Sequence, residues 1–281
     1  MKVQIEHHNT FHYETEVDQS LNMIRLKPLT DECQRLLFYR ADIQPACLTR
    51  ENTDIWGNQV ESFFIPEKHK VLEVVTTSIV SVQRSPFVGR VQYSGSMRDI
   101  FHSELFQHHY LAYLGETPYT YLRQDQVQRV TEAAGGMDDP VRFSLELMKV
   151  LHGMLKYNGD STNVDTVAAE AFDMRAGVCQ DFAHIMLGVL RASRIPARYV
   201  SGYLYVEEDS GLVGDLATHA WVEVMVPGIG WVGLDPTNNV EALGSHIRVS
   251  TGRDYADVSP VQGVYRGGSS TLDVRVAVTR V

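Results

Sequence analysis

The sequence predicts an α+β protein: an all-β sandwich over residues 1–84, a connecting segment over 85–130, and a unit of helices packed on an antiparallel sheet over 131–281. Three observations predict it. Period-two alternation fills the first third of the chain, apolar residues fall into helical spacing after Pro140, and strand patterns return after Pro196.

In the first unit, Val3-Gln4-Ile5-Glu6-His7, Asn22-Met23-Ile24-Arg25-Leu26, Val60-Glu61-Ser62-Phe63-Phe64 and Leu72-Glu73-Val74-Val75-Thr76 alternate or are β-branched. Lys27-Pro28, Pro45, Trp56-Gly57-Asn58 and Pro66 supply the turns between them. Ser85-Pro86, Gly115 and Thr117-Pro118 mark the connection, whose elements the sequence does not define. Asp139-Pro140 then reads as an N-cap followed by proline at the first helical position, with Val141, Leu145, Met148, Leu151 and Leu155 continuing the helix. A short second helix is expected over 166–172 and a third over 180–192, where Phe182, Met186, Val189 and Leu190 form one stripe. Pro196 ends it. Strands are expected over 197–206, 218–226, 230–234 and 247–249, and the alternation of 272–281 makes a final one. There is no internal repeat or low-complexity tract.

Composition bounds the function. The chain is 281 residues long, 44% hydrophobic and 21% charged, the proportions of an ordinary globular protein. No apolar run approaches the roughly 20 residues that span a bilayer, so no membrane partner is expected. The N-terminus alternates like a strand and lacks the apolar core of a signal peptide, which points to the cytoplasm. A net charge of −10 repels phosphate backbones and argues against nucleic acid. The three cysteines, Cys33, Cys47 and Cys179, form neither a CxxC nor a disulfide framework. GxSxG, P-loop and GxGxxG patterns are absent, and no cofactor or metal is expected. His102-Ser103-Glu104-Leu105-Phe106-Gln107-His108-His109 lacks the HExxH spacing and reads as a solvated or interface segment. His7-His8 reads as a strand pair.

The chemistry concentrates on Cys179. Arg175-Ala176-Gly177-Val178-Cys179-Gln180-Asp181-Phe182 places the thiol at a glycine turn that opens the third helix. A helix N-terminus carries partial positive charge and free N–H groups, which favour a thiolate and can hold an oxyanion. The bland alternative is a small buried hydrophobe. His219 lies on the face of its strand opposite to the apolar residues Ala220, Val222, Val224 and Val226, where it could line a cleft or be a surface histidine. Pro227-Gly228-Ile229-Gly230 makes a hairpin of this strand and the next, which ends at Asp235. A pairing centre at 227 puts Asp235 opposite His219; a centre at 228 puts it opposite Trp221, diagonal to His219. A centre at 228.5 separates the two across the sheet. A carboxylate on one ring nitrogen fixes the tautomer and frees the other to activate a nucleophile. His184 falls about 140° round the helix from Cys179 and is expected to pack or support. Gln180 is a candidate oxyanion donor. Trp221 and Trp231 are candidate cleft walls, with packing as the alternative.

Gly177-Val178-Cys179-Gln180-Asp181-Phe182-Ala183-His184, Gly202-Tyr203, His219-Ala220-Trp221-Val222-Glu223 and Gly230-Trp231-Val232-Gly233-Leu234-Asp235-Pro236-Thr237 together resemble the transglutaminase-like core of bacterial proteins, over about residues 140–240. Arg25-Leu26-Lys27-Pro28, Asp54-Ile55-Trp56-Gly57-Asn58 and His69 are similar to the β domain that precedes that core. The resemblance implies a papain-like cysteine-enzyme fold, with Cys179 as nucleophile, His219 as base and then acid, and Asp235 as its orienting partner. It implies a peptide or protein substrate, and leaves open hydrolysis, transfer of the acyl group to an amine, or a non-catalytic peptide-binding cleft. A metal site built from Cys179, His219 and Asp235 is a further alternative.

Overall fold

The computed structural model describes residues 1–87, 94–136, 139–207, 212 and 217–281. The chain folds into a β-sandwich and a mixed unit whose central sheet is covered on both faces. Its strands are β1 (Lys2–Val17), β2 (Ser20–Ile24), β3 (Gln34–Gln44), β4 (Thr49–Thr53), β5 (Gln59–Ile65), β6 (His69–Val82), β7 (Lys156–Tyr157), β8 (Ala176–Gly177), β9 (Ala197–Leu204), β10 (His219–Val226), β11 (Gly230–Asp235), β12 (Val240–Glu241), β13 (His246–Gly252), β14 (Val261–Tyr265) and β15 (Ser270–Arg280). Its helices are α1 (Gly95–His102), α2 (Glu104–His109), α3 (Gln124–Ala133), α4 (Pro140–Met154), α5 (Ala168–Met174), α6 (Cys179–Ala192) and α7 (Tyr255–Val258).

The sandwich stacks the sheet β15-β1-β6-β3 on the sheet β14-β2-β5-β4. Tyr13, Val17, Ile24, Leu26, Phe63, Ile65, Leu72 and Val74 fill the space between them. The last two strands depart from the sequence-based division, which placed them in the second unit. β15 pairs with β1 from Val3↔Arg280 to Tyr13↔Ser270, and β14 pairs with β2. An alternating strand exposes the same backbone donors and acceptors to any edge, so its pattern says nothing about which edge it will join.

The central sheet has the order β12-β11-β10-β9-β13 and is antiparallel. One face packs on the helices, with Ala220, Val222, Val224 and Val226 of β10 against a core that includes Phe182, Ala183, Met186 and Leu190 of α6. The other face meets the sandwich: Val3, Ile5, Val80 and Val82 cluster with Tyr203, Ile247 and Val249. All eight residues of β10 are therefore buried, the polar His219 and Glu223 among them. Polar clamps reinforce this contact. Asn58 donates to the Thr251 carbonyl at 2.9 Å and accepts from the Thr251 N–H at 2.7 Å, and Gln34 does the same with the backbone of Arg248. Asp54 in turn holds the Gly57 turn by accepting from the N–H groups of Trp56 and Asn58. These interactions explain the Asp54–Asn58 motif as a joint between the two units.

α4 begins as the sequence predicts, with Asp139 Oδ1 accepting from Val141 and Arg142 and proline at the first helical position. The undefined connection holds α1, α2 and the start of α3, and contributes Phe101, Leu122 and Val130 to the helical core. His102, His108 and His109 are all exposed on α1 and α2, consistent with a solvated segment. Among the described residues, no helix is long and apolar enough to cross a membrane.

Candidate active site

Cys179 occupies the first position of α6, with Val178 as the N-cap. The turn is built from beneath by Asp181, whose Oδ2 accepts from the Val178 N–H at 2.8 Å and from Thr162 Oγ1 at 2.7 Å. Burial raises the Asp181 carboxyl above its usual value against these donors. Gly177 is required here for space rather than for a sharp turn: a Cβ would lie 2.4 Å from Asp181 Oδ2. The left-handed residue of this turn is Arg175, at φ 53°. The Asp181 and Phe182 N–H groups reach the Val178 carbonyl, and those of Cys179 and Gln180, at the start of the helix, are the donors left beside the thiol for an oxyanion.

His219 opens β10, and the hairpin to β11 pairs Val222 with Leu234 and Val226 with Gly230, a register centred on residue 228. Asp235 thus lies diagonal to His219, and His219 Nε2 donates to Asp235 Oδ2 at 2.8 Å. Both side chains are almost wholly buried. Nδ1 has no hydrogen bond of ordinary length among the described residues and is the ring nitrogen left for Cys179. Unliganded catalytic hydrogen bonds are often long. Burial alone would lower the His219 pKa, but the Asp235 carboxylate, aided by the Cys179 thiol, lifts it well above the usual histidine value.

Asp235 accepts five hydrogen bonds. Its Oδ1 accepts from the N–H groups of Thr237 at 2.9 Å and Asn238 at 3.2 Å; its Oδ2 accepts from Asn238 Nδ2 at 2.8 Å and from both His219 and His246. Burial opposes the charge, and the two histidines more than offset it, so the carboxyl is held below the usual range. His246 was not singled out by the sequence. It reaches Asp235 Oδ2 at 3.0 Å from β13, across two intervening strands, so no hairpin parity could find it. Burial lowers its pKa despite the carboxylate and keeps it a neutral donor. His219, Asp235 and His246 have potential ligand atoms within 4.8 Å of one another, a closeness their hydrogen bonds already account for; Cys179 is not in that group.

Gly202 explains its own motif. It pairs with His219, and a Cβ there would lie 2.1 Å from the Ile247 carbonyl oxygen and 2.5 Å from the Trp221 ring. Trp221 is fully buried and stacks on His219 at 6.2 Å between ring centroids. Trp231 packs under the Arg198 guanidinium, 4.2 Å away, and against Tyr113. Neither tryptophan lines the cleft. Gln180 does, but its amide N–H donates to the Val164 carbonyl at 2.9 Å and ties down the loop before α5. His184 is a support, as its position on the helix implied: it lies between the Tyr119 and Tyr199 rings and its Nε2 accepts from the Tyr255 N–H. Burial lowers its pKa to about 3.

Cys179 and His219 share a cavity of about 280 Å³. Tyr199 and Ser201 line it from the central sheet, Thr218 from just before β10, and His7, Asn9, Leu272 and Val274 from the sandwich. An α6-borne thiol facing a sheet-borne histidine, itself tied to a carboxylate one strand over, is the layout of the papain-like, transglutaminase-like class.

The chain belongs to the transglutaminase-like superfamily. Residues 127–236 match the model of that superfamily, and residues 3–81 match the bacterial transglutaminase-like N-terminal region. An uncharacterized protein of Mycobacterium leprae is 32% identical over 100% of this chain and 99% of its own length. A protein-glutamine gamma-glutamyltransferase of Pseudomonas aeruginosa is 37% identical over 42% of this chain and 19% of its own length. A Cytophaga hutchinsonii protein described as a "Putative Cysteine Protease" has the same fold, with a TM-score of 0.74 at 22% identity over 99% of this chain and 90% of its own.

Proposed function

We propose that the protein is a thiol hydrolase of amide or peptide bonds that works through a Cys179 thioester. His219 Nδ1 takes the thiol proton and the sulfur attacks the substrate carbonyl. First-turn N–H groups of α6 hold the oxyanion while Asp235 keeps the imidazolium oriented. The imidazolium protonates the amine as the C–N bond breaks, leaving the thioester. His219 then deprotonates water, which adds to the thioester, and the sulfur leaves with the acid released. The observation that carries this reading is the shared cavity: Cys179 and His219 face the same space, and Asp235 holds the far nitrogen of the imidazole.

Transfer of the acyl group to an amine is the second reading, supported by the identity with the Pseudomonas aeruginosa gamma-glutamyltransferase. Hydrolysis comes first because water needs no binding site of its own, whereas an amine acceptor needs one beside the thioester. Incubating the protein with an amide-bearing peptide, with and without excess lysine, separates them by mass spectrometry. Hydrolysis yields the acid in both; an isopeptide that replaces most of the acid when lysine is present would move the assignment to a transferase.

A further inference from the structure

The odd-numbered face of β1 runs from one core to another and changes chemistry in between. Val3 and Ile5 pack on the central sheet, Tyr13 and Val17 enter the sandwich core, and His7 and Asn9 lie where the strand passes the Cys179 cavity. A polar interruption of a buried apolar face needs partners. His7 has both: its Nε2–H donates to Asn9 Oδ1 at 3.2 Å, and its Nδ1 accepts from the Tyr203 hydroxyl at 2.9 Å. Burial lowers the His7 pKa to about 4, so the imidazole is neutral and has only one N–H to give. Asn9 Oδ1, which can only accept, lies beside Nε2, so the relay runs from Tyr203 to His7 to Asn9 and uses the acceptor end of the Asn9 amide. The donor end is left over. Asn9 is 2% exposed, and its Nδ2 has no hydrogen-bond partner.

We infer that Asn9 is a substrate-binding residue: its Nδ2 donates to a carbonyl of the acyl donor, in a subsite that the N-terminal sandwich builds opposite Cys179 and that selects uncharged groups. The rest of the wall fits this. Asn9 pairs with Val274 of β15, and Leu272 and Val274 line the cavity beside it. Apart from the Cys179–His219 pair, no described residue of the lining carries a formal charge at neutral pH. A carboxylate or ammonium would leave water there with no counter-ion among the described residues, whereas a neutral carbonyl would gain an unpaired donor. The sandwich is thus part of the binding site as well as a platform. The inference rests on the proposed thiol chemistry and adds to it a subsite and a ligand class.

Two thiol alkylators of equal size test it on the full chain: N-chloroacetylglycinamide, with a terminal carboxamide, and N-chloroacetylglycine, with a terminal carboxylate. Rates at Cys179 are measured as kinact/KI and normalised to glutathione. The wild type is expected to prefer the carboxamide about tenfold. Asn9→Ala is expected to raise KI for the carboxamide about tenfold with kinact unchanged, and Asn9→Leu, which removes the amide and fills the same space, to do the same. Leu272→Arg, at a half-exposed position of the wall, keeps the test decisive if the Asn9 variants do not fold: it is expected to shift the preference toward the carboxylate. Undiminished labelling of Cys179 with no preference in the wild type, or with a preference that neither Asn9→Ala nor Leu272→Arg alters, overturns the subsite and leaves the thiol chemistry standing. Failure of both reagents to label wild-type Cys179 overturns both.

Discussion

Two imidazoles share one carboxylate oxygen and end in opposite states. His219 and His246 both donate to Asp235 Oδ2, at 2.8 Å and 3.0 Å, and their rings lie 5.9 Å apart. His219 borders the cavity and Cys179, and its pKa is raised; His246 is enclosed by the sheet and the Trp221 ring, and its pKa is lowered. One carboxylate charge can stabilise one imidazolium, and the second proton is then opposed by the first as well as by burial. Position relative to the thiol, rather than the bond to Asp235, therefore separates a candidate base from a structural donor.

The largest effect should come from removing what the two share. Asp235→Asn is expected to lower amide turnover by about 10³–10⁴-fold, because the carboxamide neither fixes the His219 tautomer nor stabilises its charged form. Steady-state rates with an amide substrate check this, and a loss under tenfold would mean that His219 is oriented by something else. Next is the support of the thiol. Gly177→Ala forces a Cβ onto Asp181 and is expected to destabilise the fold by about 1–3 kcal/mol in urea denaturation, with slower Cys179 alkylation. His246→Gln should be milder, about tenfold in turnover, since it removes one of five donors to Asp235. An effect as large as that of Asp235→Asn would erase the distinction between the two histidines.

The smallest effect is the most specific. The raised pKa of His219 stabilises the fold fully below its unfolded value of 6.5, and that stabilisation fades as pH rises above it. The lowered pKa of His246 has the opposite sign: the unfolded chain takes up a proton as pH falls below 6.5 and the folded chain does not. The stability gap between wild type and His219→Gln should therefore shrink on going from pH 6 to pH 9, and that between wild type and His246→Gln should shrink from pH 7 to pH 5. Urea midpoints at about these pH values decide it; gaps that move in parallel would contradict the assignment.

Legibility in the sequence followed the range of each interaction. The β10–β11 hairpin could be read because a four-residue turn allows few registers, and the observed centre at 228 is one of the two that join His219 to Asp235. The start of α6 could be read from the glycine and the apolar stripe. β3 was missed because it alternates weakly, with Arg35, Arg40 and Asp42 among mostly exposed residues. His246 and the sandwich-side wall of the cavity were out of reach for a different reason. Each depends on which strands become neighbours, and β15 lies beside β1 although more than 250 residues separate the paired positions.

The proposed mechanism requires that Cys179 and His219 act as one unit. It is tested most directly by the rate of Cys179 alkylation with iodoacetamide between about pH 5 and 9, in the wild type and in His219→Ala. At about pH 6 the wild type is expected to react about tenfold or more faster than the variant, with the two curves converging at high pH as the thiol ionises without help. Superimposable curves across the whole range would contradict it.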